Sequence, residues 1–146
     1  MRLDIVTPEQ ELFTGEVDIV LAPGEDGQLG ILPHHAPLIT VLAEGELIVR
    51  QGEEEFSFAV HGGYMQVLPD RVIVLADVAE RAEEIDIQRA EEARRRAEEL
   101  LKREAPPEER AAAMKALRRS LIRLRVARRR RPYRPEPTSG EPQADT

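Results

Sequence analysis

At 146 residues, with no cysteine and only 3% aromatic side chains, the chain has room for one medium domain or one small domain with a helical appendage. The missing cysteines exclude disulfides, thiolate metal sites and a cysteine nucleophile. The net charge of −7 hides a split: residues 1–80 carry 15 acidic and 3 basic side chains, whereas residues 81–134 carry 10 acidic and 18 basic ones, which marks two modules with different partners. No stretch reaches the roughly 20 apolar residues of a membrane span, and Met1-Arg2-Leu3-Asp4 lacks the apolar run of a secretory signal. A reducing compartment is expected, and membrane association only through a protein partner.

Up to about Asp77 the chain reads as short strands punctuated by turns. Leu3–Val6 stops at Thr7-Pro8, Val17–Leu21 runs into Pro23-Gly24, and Leu29–Leu32 stops at Pro33. Glu46–Arg50 and Glu55–Val60 flank Gln51-Gly52 as a hairpin, and Tyr64–Leu68 and Arg71–Leu75 flank Pro69-Asp70 as another. Strands this short, with no helical period between them, indicate an all-β antiparallel sandwich over residues 1–80, its core filled by aliphatic residues.

The pattern changes at Asp77. From Asp86 to Arg103, Ala90, Ala93, Ala97, Leu100 and Leu101 recur at helical spacing, with Asp86 as the N-cap. Ala105-Pro106-Pro107 breaks the helix. A second helix opens on Glu108-Glu109 and ends in Arg128–Arg131, the charge order that a helix dipole favours, with Met114, Leu117, Leu121 and Leu124 as its apolar stripe. So short a break predicts an antiparallel two-helix hairpin over residues 81–131, and the Pro-, Glu- and Ser-rich residues 132–146 read as a disordered tail. Alanines contribute little to a helical seam, so folded and extended hairpins are expected to lie within a few kcal/mol of each other.

Gly24, Gly27 and Gly30 fit tight turns, since neither a P-loop lysine nor a βαβ unit accompanies them. His34 and His35 point apart on an extended segment, and His61 is the only other histidine, which argues against a metal. No arrangement suited to catalysis stands out. Arg89, Arg96 and Arg103 share one helix face, and Arg119 and Arg123 share another. Folding the hairpin brings Arg96 toward Arg119 and Arg123, like charges that repel unless an anion separates them, and guanidinium groups suit phosphate oxygens. Composition alone favours a solvated basic face with local partners such as Glu92 and Glu99. A freestanding nucleic-acid-binding protein using the Arg128–Arg131 run is the alternative reading, although it lacks aromatic platforms.

Residues 27–38, reading GQLGILPHHAPL, closely resemble the hallmark loop and strand of the epsilon subunit of bacterial F-type ATP synthases. Residues 62–64 (GGY) and 75–79 (LADVA) support the likeness, which runs in order over about residues 1–130. The resemblance implies a non-catalytic central-stalk subunit, peripheral on the cytoplasmic side of the cell (inner) membrane, that binds no nucleic acid. Its sandwich would dock on the gamma subunit and the c-ring. Its hairpin would rise to restrain ATP hydrolysis, the basic second helix meeting the beta (and alpha) subunits. Some bacterial members bind regulatory ATP on the folded hairpin through an Ile/Leu-Asp-x-x-Arg-Ala motif. Residues 85–90 read IDIQRA, which places Asp86, Arg89 and Ala90 in that motif. The family's further arginines match Arg96, Arg119 and Arg123, and its upstream acid matches Glu80. By this resemblance the arginines hold phosphates, Glu80, Asp86 and the backbone near Ala90 lie toward the adenosine, and no hydrolysis is implied. No cofactor is required, and the reading of the arginine face reverses in favour of a site. Pro106-Pro107 and the tail after Arg131 depart from the family pattern.

Overall fold

The computed structural model describes residues 1–130. Ten strands form two five-stranded sheets. One has the order β2 (Glu11–Glu16), β1 (Arg2–Val6), β9 (Arg71–Ala76), β8 (Gly63–Leu68), β5 (Leu38–Val41). The other runs β10 (Ala79–Arg81), β7 (Glu54–His61), β6 (Glu44–Gln51), β3 (Ile19–Gly24), β4 (Gly27–Ile31). We call them the first and second sheets. Every pairing is antiparallel except β1 with β9, which is parallel. Strand periodicity sends alternate residues to opposite faces. Leu3, Ile5, Met65, Val67, Val72 and Val74 of the first sheet therefore meet Val20, Ala22, Leu47, Val49, Phe58 and Val60 of the second. The core is chiefly aliphatic as expected, but Phe58 is its largest fully buried side chain, and Phe13 packs against both Phe56 and Phe58.

Gly63, where β8 begins, shows why the GGY stretch is constrained. Its φ is +126°, and an added Cβ would fall 2.2 Å from the Leu75 carbonyl oxygen, a position that only glycine fills. Asp4, on the outer face of β1, is nearly buried. The Thr14 hydroxyl donates to it at 2.6 Å, and with Arg2 and Arg71 holds its carboxyl below the usual range.

A 3₁₀ turn (Ala82–Glu84) leads to α1 (Ile87–Leu101), and α2 spans Pro107–Arg130. Asp86 caps α1 as its sequence position predicts, accepting from the Arg89 N–H at 3.1 Å. Pro107 occupies the first turn of α2, where its missing N–H costs nothing. The Arg110 guanidinium donates to the Leu101 and Arg103 carbonyls, so α2 caps the exit of α1. Arg128 near the end of α2 pairs with Glu91 near the start of α1, which makes the helices antiparallel.

The hairpin lies on the outer face of the second sheet as a third layer. Ala59, Ala82 and Ile85 pack there against Ile122, Val126 and Ala127. This contact corrects the expected stripe on α2. Leu124 is buried, but Met114 and Leu121 are 47% and 49% exposed, and the buried set is Ala113, Ser120, Ile122, Leu124, Val126 and Ala127. The helix serves two neighbours, α1 and the sheet, so its buried face is wider than one stripe and rotated from the largest side chains. The expected disorder of residues 132–146, like Arg131 at the end of the basic run, lies outside the described residues.

Candidate anion groove between the hairpin helices

The face of α2 that carries Arg119 and Arg123 borders a groove of about 360 Å³, lined by Ala93 of α1 and by Ala112, Lys115, Ala116, Arg119, Ser120 and Arg123 of α2. The spacing explains the lining, because Lys115, Arg119 and Arg123 stand one turn apart on one face. The small residues between the helices leave room. Ser120 is buried but satisfied, its hydroxyl donating to the Ala116 carbonyl at 2.8 Å.

The cations differ in how far they are neutralised. Arg123 is clamped by Glu80 at the edge of the second sheet, Nε to Oε1 at 2.7 Å and Nη2 to Oε2 at 2.9 Å. Arg119 has no such partner among the described residues, and its buried Nε makes no hydrogen bond. A buried donor left unmade costs free energy, and an anion in the groove would relieve it. Lys115, which also lines the groove, is exposed. It escaped the sequence reading although its position, four residues before Arg119, was the signal.

The remaining motif residues fall nearby. Ala90 is fully buried, and Asp86 is an exposed cap. Arg89 and Arg96 are exposed and make no side-chain hydrogen bond or ion pair among the described residues. They lie four before and three after Ala93, so they flank the groove from α1. The local partners expected for a solvated basic face, Glu92 and Glu99, do not engage them. Ion pairing on α1 instead centres on Arg94, which bridges Glu91 at 2.7 Å and Glu98 at 3.1 Å. The groove thus gathers Arg119 and Arg123, Glu80 holds the latter from the sheet, and Arg89 and Arg96 stand at its margin.

Beside this groove His61 ends β7 on the same outer face of the second sheet as Ala59. It is buried, and its Nδ1 lies 3.8 Å from a Glu44 carboxylate oxygen. Burial, then Arg119 nearby, holds its pKa below the usual histidine value, while Glu44 and Glu80 pull the other way and Arg123 adds a smaller downward push. No group of three or more histidine or carboxylate side chains fit for a metal is found among the described residues.

Residues 1–82 match the family described as ATP synthase, Delta/Epsilon chain, beta-sandwich domain, and residues 83–128 match its long alpha-helix domain. The chain belongs to the ATP synthase delta/epsilon family, as an epsilon chain. It is 54% identical over 134 residues to an ATP synthase epsilon chain of Dehalococcoides mccartyi, covering 91% of this chain and 96% of that one. It is 50% identical over 126 residues to the epsilon chain of Desulforamulus reducens, covering 86% and 96%. The fold is also that of a chain in the Euglena gracilis mitochondrial ATP synthase (OSCP/F1/c-ring, rotational state 1). That match has a TM-score of 0.71 at 23% identity, covering 79% of this chain and 73% of the other. A chain of the Tetrahymena thermophila mitochondrial ATP synthase central stalk and c-ring matches at TM-score 0.62 and 15% identity, covering 86% and 95%. An epsilon chain is a non-catalytic stalk subunit.

Proposed function

We propose that this epsilon chain is a central-stalk subunit whose folded hairpin takes up ATP in the groove beside Arg119, and that the ligand holds the hairpin in its folded, non-inhibitory form. The observation that carries this reading is the buried, unpartnered Nε of Arg119 in a groove shared with Lys115 and Arg123. These side chains are cationic and line one space, a pattern suited to a polyphosphate. Arg89 and Arg96 would close over it from α1, Glu80 would yield Arg123 in part, and Asp86 with the backbone near Ala90 would lie toward the adenosine. Titrating ATP into the isolated chain by calorimetry at near-physiological salt is expected to show saturable 1:1 binding. No heat up to millimolar ATP overturns the reading.

Docking on the gamma subunit and the c-ring falls to the first sheet, in our reading. The pairings Val41↔Tyr64, Tyr64↔Leu75 and Leu75↔Val6 lay an apolar row across its outer face, with Ile39 beside it. Ile39, Tyr64 and Leu75 are 71%, 57% and 53% exposed, and a contiguous apolar patch of this kind marks a protein contact. The basic second helix would meet beta and alpha when the hairpin extends. No helix among the described residues is long and apolar enough to cross a membrane. In this reading the chain is held peripherally, on the cytoplasmic side of the cell membrane, through these partners. Replacing Tyr64 and Leu75 with glutamate puts two charges at the centre of the patch. Co-purification with the rest of the stalk should then be lost while far-UV circular dichroism is unchanged. Undiminished co-purification would move the docking surface elsewhere.

A further inference from the structure

We propose that His61 is a proton-sensitive latch for the hairpin, neutral while α2 is docked on the second sheet and taking up a proton when α2 lifts away. Three observations converge on it. His61 belongs to the sheet's outer face, since residues two apart on a strand share a face and Ala59 packs there against α2. Only 1% of its side chain is exposed, although it sits at the end of a strand. Neither of its ring nitrogens makes a hydrogen bond among the described residues. Charged groups face it from each element packed around it: Glu44 and Glu46 from β6, Glu80 from β10, and Arg119 and Arg123 from α2.

The sign follows from which of these groups leave with the helix. Lifting α2 removes the cover that desolvates the ring and also removes both arginines, while Glu44, Glu46 and Glu80 stay on the sheet. Both changes favour the imidazolium, so the undocked form binds the proton more tightly than the docked one. With the docked pKa lowered, docking is fully retained above the ordinary histidine value of about 6.5. It weakens as pH falls below that value and continues to weaken until the depressed docked value is passed. One proton limits the effect to about a tenfold drop in the docking equilibrium constant per pH unit. The latch does not depend on nucleotide binding, because every group in it belongs to the chain.

The absence of native cysteines allows a direct test. The full chain with Glu53→Cys on the β6–β7 turn and Met114→Cys on the exposed side of α2 accepts a donor–acceptor dye pair without touching the cluster. Docking would be followed by energy transfer between pH 8 and 5.5, in urea sufficient to half-populate the undocked hairpin at pH 8. The docked fraction should fall with acid in the parent chain, and His61→Gln should flatten that response. A titration of the His61 ring by NMR in the unlabelled chain should place its pKa below the ordinary value while the hairpin is docked. Equal pH responses in the two chains overturn the latch, as does a ring that titrates at or above the ordinary value in the docked form. Loss of transfer only together with unfolding of the sandwich also overturns it. Should His61→Gln fail to fold, Glu44→Gln decides. Removing the carboxylate that favours the imidazolium should move the response to lower pH, and an unmoved response counts against the proposal.

Discussion

Replacing Arg119 and Arg123 together with alanine is expected to reduce ATP affinity by roughly a hundredfold to ten-thousandfold while leaving the sandwich folded. A hydrogen bond to a charged group contributes about 1.5–3 kcal/mol, so two guanidinium–phosphate contacts amount to about 3–6 kcal/mol of binding. The two arginines are not equivalent. Arg123 must share its donors with Glu80, which already holds both its Nε and Nη2. Arg119 brings a buried donor that nothing in the described chain satisfies. Arg119→Ala alone should therefore weaken ATP more than Arg123→Ala, and Arg123→Ala should additionally loosen the hairpin by leaving Glu80 unpaired. Arg119→Lys keeps the charge but loses the planar fork and should recover only part of the affinity. Calorimetry measures the affinity, and thermal melting followed by circular dichroism checks the sandwich, whose core contains neither residue. An unchanged dissociation constant in the double variant would return these arginines to a purely structural role.

The strands that pattern reading found, and those it missed, separate by position in the sheets. The found ones pair mostly on both sides, bury one face in the core and so alternate cleanly: β1 puts Leu3 and Ile5 inward, and β9 does the same with Val72 and Val74. The unforeseen ones, β2, β5 and β10, are all sheet edges. β2 reads ELFTGE and fully buries only Leu12, and β10 has three half-buried residues, so neither carries a period for sequence analysis to detect. The parallel pairing of β1 with β9 joins segments some 70 residues apart, and nothing local encodes it. On α2 the largest apolar side chains were the wrong guide. Small residues set how closely the two helices approach, and Ile122 and Val126 face a sheet that no helical period reveals. The site divides in the same way. The IDIQRA stretch and the arginine spacing were visible in the chain. The Glu80–Arg123 clamp spans 43 residues, and the charges acting on His61 include Arg119 and Arg123 of the other module.

Removing residues 83–146 is expected to leave a cooperatively folding sandwich that still joins the stalk, and to relieve whatever restraint the hairpin places on ATP hydrolysis. The main core lies wholly within residues 1–82, whereas the hairpin's contact with the sheet is a small apolar cluster of alanines with Ile85, Ile122 and Val126, joined by the Glu80–Arg123 ion pair. Where the cut falls matters. A boundary after Glu80, the one suggested by the change in sequence character, would remove Arg81. That guanidinium lies 5.7 Å from the centroid of the Phe58 ring and donates to the Leu12 carbonyl, tying β10 across to the other sheet. A cation over an aromatic face contributes about 0.5–2 kcal/mol and the hydrogen bond about 1.5–3 kcal/mol. We therefore place the boundary after Ala82, and a chain ending at residue 80 should melt several degrees below one ending at residue 82. Denaturant unfolding of the two truncations, with hydrolysis assayed in the reassembled enzyme, separates the possibilities. A 1–82 fragment that cannot fold or cannot assemble would show that the hairpin is part of the sandwich's own stability. A fragment that assembles without raising hydrolysis would show that the restraint does not come from the hairpin.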